Sequence, residues 1–267
     1  MGASVSTKNF RIPLNSDEGL ISTLVYSALN TSKEHLRRPA HPGWIEEAGK
    51  LLVQHCLSKT FEQKTILQEL LDMGFKVDTI VDHCIPIAAT RLGEAWVKDT
   101  LSFSEATIGS ANLQRLLNRI AQDRENNFIS DSGKRFLICV HESEQHTLGA
   151  LVLGDMLRRQ GHSLKIKLDA KRSQICNLQE SNDYDGIFFS CASFLSVKET
   201  AACVREIRQT LKSNCPIFLG GSNIEHVSTG LDLKEFDLVT NSLNAVIEYV
   251  EKNRKEVPLS FGMAAEG

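Results

Sequence analysis

The feature that most constrains this chain is a set of short apolar runs in its second half. Phe136-Leu137-Ile138-Cys139-Val140, Gly186-Ile187-Phe188-Phe189-Ser190 and Pro216-Ile217-Phe218-Leu219 are continuous rather than alternating. They are too short for buried helices, and continuous runs of this length suit strands covered on both faces. A strand-like stretch over 163–168 and a weaker one over 236–239 add two more. Helical spacing follows the first run over 146–159, ending at Gly161, and recurs over 196–211 and 243–252. Strands alternating with helices predict a parallel sheet with helices on both faces, and ligands on such sheets bind beyond the carboxyl ends of the strands.

The first half has a different period. From Trp44 to about Gln122, apolar residues recur at spacings of three and four: Ile45, Ala48, Leu51, Leu52 and Cys56, then Phe61, Ile66, Leu67, Leu70 and Leu71 up to a stop at Gly74. A third helix carries Ile80, Ile85, Ile87 and Leu92, with Pro86 inside it expected to kink or split it. A fourth starts near Ser102 or Ser104 and runs through Ile120. Four helices with short connections predict a four-helix bundle. The stretch Arg37 to Gly43, with two prolines and a glycine, reads as a break, and a modest helix over 18–29 precedes it. The polar stretch over 123–134 reads as a linker. The expected organisation is therefore α/β: an N-terminal extension over 1–43, a four-helix bundle cap over 44–125, and a flavodoxin-like (Rossmann-like) five-stranded parallel sheet domain over 134–256.

Charge and composition narrow the function. A net charge of -3 over 267 residues leaves no footprint for direct nucleic acid binding. No apolar run is of transmembrane length and the start lacks a signal peptide's pattern, which predicts a cytoplasmic protein with no membrane role. The start, Met1-Gly2-Ala3-Ser4-Val5-Ser6, fits the loose myristoylation pattern but has no polybasic second anchor. Seven cysteines without a CxxC pair read as reduced, buried thiols.

Chemistry concentrates after the first strand. Val140-His141 ends it, and Glu142-Ser143-Glu144-Gln145-His146-Thr147-Leu148-Gly149 leads into a helix. A ligand placed here stands at the carboxyl edge of the sheet. Histidine is the commonest metal-ligating side chain, and its second nitrogen usually donates to a carboxylate that fixes the tautomer. Glu144, two residues away, can fold back to that nitrogen. Gly149 leaves room for a large flat ligand.

Glu144-x-His146-x-x-Gly149 resembles the Asp-x-His-x-x-Gly signature of cobalamin-binding domains. That family carries a serine at the end of a later strand and a Gly-Gly after the next. Here Ser190 and Gly220-Gly221 stand in those places. In the bundle, Ile85 to Trp96 followed by Leu101 to Gly109 resembles the cap of bacterial cobalamin-dependent regulators, and Glu-Gln-His-Thr-Leu-Gly is most similar to the AerR/PpaA group of antirepressors of photosynthesis genes. The resemblance covers roughly residues 44 to 254.

The resemblance implies cobalamin bound base-off and His-on, with His146 as the lower cobalt ligand, Glu144 as its carboxylate partner and Ser190 as the third member of the relay. The loop residues Thr147 and Leu148 would line the site, and Gly149, Gly220 and Gly221 would let the backbone approach the nucleotide tail. Trp96 matches a position over the upper face of the corrin; its alternative is a bundle-core aromatic. Two departures stand out. Glu144 replaces the usual Asp, and the serine element reads Ser190-Cys191-Ala192, while the usual Ser-x-Leu wording occurs downstream as Ser193-Phe194-Leu195. Related photoreceptors follow their tryptophan with nine residues and then a Glu-His pair; Ala106-Thr107 stands there instead. His41, His83, His141, His162 and His226 are the other candidate ligands.

The implied function is a light- or cobalamin-responsive regulator, a photoreceptor-type antirepressor that is not an enzyme and controls transcription through a PpsR/CrtJ-type repressor. Two alternatives use the same domain: a corrinoid carrier of methyl groups for a methyltransferase system, and a heme sensor.

Overall fold

The structure is a computed structural model that describes residues 42–125, 133–210, 214–222 and 224–254. The helix expected over 18–29, nearly all of the N-terminal extension and most of the expected linker lie outside them.

Four helices build the cap. α1 (Pro42–Cys56) begins two residues before Trp44. Pro42 and Gly43, expected to lie in a break, form its first turn, where proline's missing N–H and fixed φ do no harm. α2 (Gln63–Asp72) ends at Gly74 with φ +92°; Phe75 N donates to Leu70 O (3.2 Å) and Gly74 N to Leu71 O (2.9 Å), the paired bonds of a glycine stop. One turn at Val77–Thr79 and a wide π-helical turn at Ile80–Cys84 then lead into α3 (Ile85–Val97). Pro86, second residue of α3, explains the interruption, because it cannot donate to the preceding turn. α4 (Phe103–Glu125) starts behind a capping box: Glu105 N donates to Ser102 Oγ, and Glu105 Oε2 accepts from Ser102 N and Oγ. Leu52, Leu70, Ile80, Ile85, Leu92, Leu113, Leu116 and Leu117 fill the bundle core.

The second half is the parallel sheet expected of it. Its strands are β1 (Arg135–His141), β2 (Ser163–Ala170), β3 (Gly186–Ser190), β4 (Ile217–Gly220) and the short β5 (Leu238–Val239), all parallel and ordered β2-β1-β3-β4-β5. That is the flavodoxin-like order. Successive side chains point to opposite faces. Leu137, Cys139, Ile187, Phe189, Ile217 and Leu219 face α6 (Arg172–Asn182) and α7 (Phe194–Thr210). Phe136, Ile138, Val140, Phe188 and Phe218 face α5 (Leu148–Arg159) and α9 (Leu243–Arg254). A single turn, α8 (Ile224–Val227), follows β4. The sequence reading did not anticipate α6, which buries Ile175, Cys176 and Gln179.

The cap sits on α5. Val152 is buried within the cap's core, with Leu148, Leu151 and Met156 packed against it. Asp155, on the same helix and nearly fully buried, accepts from Arg124 of α4 and Arg159 of α5, each at 3.0 Å. Arg159 also pairs with Asp82 in the π-helical turn, and Arg124 with Asp78 at 2.6 Å. Removing one partner would strand a buried charge, so this cluster fixes α5 against the cap. No helix among the described residues is long and apolar enough to cross a membrane.

Candidate functional site

The sheet order changes direction at β1 and β3, which lie side by side. The loop after β1 turns to the face carrying α5, and the loop after β3 to the face carrying α7. A crevice opens between two such loops at the carboxyl edge of a sheet. His146 stands on one lip of it.

Glu144 spans the crevice. Its residue is 6% exposed. Oε1 accepts from His146 N (2.7 Å) and lies 2.6 Å from His146 Nδ1. Oε2 accepts from Ala192 N (2.7 Å) and Ser196 Oγ (2.6 Å). The latter two belong to the β3 loop and the first turn of α7, where helix N–H groups favour negative charge. Ser193 caps that helix: its Oγ accepts from Ser196 N (3.1 Å), and Ser196 Oγ accepts from Ser193 N (3.2 Å). The cap of α7 thereby aims Ser196 at Glu144. Burial pushes the Glu144 carboxyl up, but the bonds from His146, Ser196 and Ala192 outweigh it and hold it down at about 2.

The hydrogen bond from Glu144 pushes the His146 imidazole up from its ordinary value, against the smaller opposing effect of burial. With Nδ1 committed to the carboxylate, Nε2 is the nitrogen left to bind a ligand. The imidazole is 69% exposed.

Ser190 closes β3, is buried, and faces Gly149: a Cβ at Gly149 would lie 3.4 Å from Ser190 Oγ. The hydroxyl that extends the His146–Glu144 relay belongs to Ser196, six residues on. Ser193-x-x-Ser196 at a helix start signals a cap in the sequence, but not that Ser196 reaches Glu144.

The three glycines divide. A Cβ at Gly221, where φ is +138°, would lie 1.8 Å from Cys191 O, and one at Gly220 would lie 2.8 Å from Thr240 O. Asn241 further pins Gly221, accepting from its N (2.8 Å) and donating to its O (3.0 Å). These two glycines are therefore required by contacts between the protein's own loops, independently of any ligand that approaches them. Gly149 is exposed and no such contact demands it.

Thr147 and Leu148 join the site to the cap. Thr147 Oγ1 accepts from Gln114 Nε2 of α4 at 2.8 Å. Leu148 packs on the cap's core. Trp96 is 46% exposed at the end of α3 and meets the still more exposed Phe103 edge-on at 6.0 Å. It is not a bundle-core residue.

The other candidate histidines are hydrogen-bonded elsewhere, exposed, or outside the described residues. His162 Nδ1 accepts from Lys134 N (3.2 Å), and its ring packs edge-on against Phe136. His141 Nδ1 lies 2.8 Å from Ser143 Oγ. His83 and His226 are exposed, and His41 lies outside the described residues. Among the described residues no three His, Cys, Asp or Glu side chains group as a metal site. The seven cysteines are buried.

An uncharacterized 20.5 kDa protein in the bchF-crtJ intergenic region of Rhodobacter capsulatus is 31% identical to this chain over 176 residues, 64% of this chain and 90% of the relative. This chain belongs to the same family. No family model matches it. A monomethylamine corrinoid protein of Methanosarcina barkeri shares the fold, with TM-score 0.56 and 13% identity over 77% of this chain and 96% of that one. A cobalamin-binding protein of Desulfitobacterium hafniense DCB-2 aligns over 80% of this chain and 98% of its own at 11% identity, with TM-score 0.38.

Proposed function

We propose that this protein binds cobalamin base-off with His146 as the lower cobalt ligand, and acts as a regulator through a protein partner rather than as an enzyme. One observation carries the reading: a single imidazole stands at the sheet's crevice with Nδ1 held by a buried carboxylate and Nε2 free. One protein nitrogen suits a metal whose macrocycle already supplies the other ligands in its plane. The residues fit such a group. Glu144 fixes the tautomer and keeps the imidazole basic; Gly149 presents no side chain next to it; Trp96 and Phe103 offer an exposed aromatic pair on the cap.

Bound cobalamin would supply a coloured cobalt centre whose upper ligand can be exchanged, or released by light. The chain's own residues would hold its two faces: His146 from the sheet domain below, the aromatic pair from the cap above. Loss of a bulky upper group would change what the cap touches, and a ligand shifts a conformational balance only through such a difference. The place of the Rhodobacter capsulatus relative beside crtJ supports an antirepressor role toward a CrtJ/PpsR-type repressor. The test is repressor affinity measured with apo protein and with adenosyl- and hydroxocobalamin-loaded protein, in the dark and after illumination. A change between states is expected; equal binding in all states, or none, overturns the antirepressor role.

The shared fold of the monomethylamine corrinoid protein favours a second reading, a carrier of methyl groups. Under it the methylcobalamin form would give up its methyl group to a thiol acceptor when a partner methyltransferase is added. The absorption spectrum of the loaded protein, and its change in His146→Ala, tests the cofactor and the ligand before either role is at issue, and separates cobalamin from heme.

A further inference from the structure

Thr147 holds the first position before α5, where a threonine hydroxyl ordinarily accepts a hydrogen bond from the helix's own first turn. It does not do so here. Its backbone is already helical (φ −99°, ψ −16°) and its side chain makes no capping bond. The hydroxyl oxygen instead accepts from Gln114 Nε2 of the cap, at 2.8 Å and partly buried.

This gives the loop two anchors of different origin. Glu144 ties one side of His146 to α7 of the sheet domain. Thr147 ties the other side to α4 of the cap. The imidazole lies between them, so a displacement of α4 relative to α7 must be absorbed around His146.

The far end of α4 carries the aromatic pair. Phe103, Thr107 and Gln114 are eleven and seven residues apart from one another's ends, which brings all three within about 20–40° of one helical face. Phe103 and Gln114 are about 16 Å apart along the axis at 1.5 Å per residue. Leu113, Leu116 and Leu117 are fully buried beside Gln114, so the helix is held as one body there.

We propose that Gln114 is a positioning residue: through Thr147 it couples the cap's aromatic face to the presentation of His146, so that a change of the group above the corrin alters the strength of the lower ligand. The coupling rests on the corrinoid reading given above.

The test uses the full chain with Gln114→Ala, Gln114→Glu, Thr147→Val and Thr147→Ser. The readouts are cobalamin affinity and the absorption bands that report histidine on the cobalt, each for adenosyl- and hydroxocobalamin. Losing one hydrogen bond of ordinary worth corresponds to about 3- to 10-fold in affinity. Gln114→Ala and Thr147→Val are each expected to show that loss and to shrink the spectral difference between the two cobalamins, and the double variant to be no worse than either single one. Gln114→Glu, whose carboxylate can accept from the Thr147 hydroxyl, and Thr147→Ser are expected to restore most of both. The coupling is overturned if Gln114→Ala and Thr147→Val leave affinity within about 2-fold and the spectral difference intact, or if Thr147→Ser fails as badly as Thr147→Val. Should Gln114→Ala not fold, the Thr147 pair decides alone. A wild-type chain that takes up no cobalamin removes the underlying reading instead, a result visible before any variant is made.

Discussion

Under the proposed reading, the loop below the cobalt and the cap face above it are built differently. On the sheet side, Glu144 is buried and both its oxygens are engaged, and the glycine pair at 220–221 is locked against neighbouring backbone. On the cap side, Trp96 and Phe103 touch each other and otherwise face outward. The lower side is finished by the protein itself, whereas the upper side offers apolar area with little to cover it. The difference teaches where specificity can reside. A preorganised ligand loop gives affinity for the metal in any form, while an uncovered aromatic face can distinguish what stands above it. Substitutions below should therefore affect all cobalamins together, and folding too where the group is locked against neighbouring backbone, while substitutions above should affect neither folding nor the smallest cobalamin.

The largest expected effect is that of Gly221→Ala. A methyl group 1.8 Å from Cys191 O, on a backbone at φ +138°, forces the β3 and β4 loops apart. A loss of about 3 kcal/mol or more is expected, measured by denaturant unfolding of the apo protein. Gly149→Ala is the contrast: its methyl would meet only Ser190 Oγ, at an ordinary 3.4 Å. Stability within about 0.5 kcal/mol of wild type, with weaker cobalamin binding, is expected there. If both glycines cost the same stability, the contact with Cys191 O is not what requires a glycine at 221.

Glu144→Gln comes next. The amide keeps the shape but cannot accept from Ala192 N, Ser196 Oγ and His146 together without leaving a donor facing a donor. Cobalamin affinity is expected to fall about 10- to 100-fold for every upper ligand alike. A loss confined to one cobalamin would place Glu144's influence on the upper side.

The pH dependence of the apo protein probes the same carboxylate. Folding lowers Glu144 from 4.5 to about 2. A depressed acid contributes stability that is complete above its unfolded value and is lost as pH falls through the folded one, here between about 4.5 and 2. The raised His146 acts on the other side: its contribution is complete below 6.5 and lost as pH rises through its folded value. Glu144→Gln should flatten the acid limb of an unfolding-against-pH curve. An unchanged limb would show that other carboxylates set it.

The fold was legible wherever one period dominated. The continuous runs at β1, β3 and β4 gave strands buried on both faces, and three- and four-residue spacing gave the bundle. α6 escaped because its buried residues include the polar Gln179 beside Ile175 and Cys176, which blurs the apolar period. The start of α1 was misplaced because Pro42 and Gly43 were read as breakers, although the first helical turn tolerates both. At the site, His146 and Glu144 were legible because they lie two residues apart in one loop. Ser196 and Gln114 were not, since they reach it from α7 and α4 through contacts 52 and 33 residues distant in the chain. The glycine pair was seen, but its packing against Cys191 O and Thr240 O was not, because sequence shows that a side chain is missing and not what occupies its place.

The smallest effect on folding, and the sharpest on specificity, is expected from Trp96→Ala. Nearly half of Trp96 is exposed, and its ring contact is with Phe103, which is more exposed still. Truncating such a side chain leaves no closed cavity, so stability should stay within about 0.5 kcal/mol of wild type. On the bound form the outcome differs. An indole over the corrin contributes only where an upper group reaches it, so adenosylcobalamin should lose affinity while hydroxocobalamin keeps it within about 2-fold; an offset of about tenfold corresponds to 1.4 kcal/mol, within the range of one aromatic contact. Paired titrations of wild type and Trp96→Ala with the two cobalamins measure that offset directly. An equal loss for both would mean that Trp96 supports the cap as a whole, and the division between a finished lower side and a selective upper side would fail at the residue that defines it.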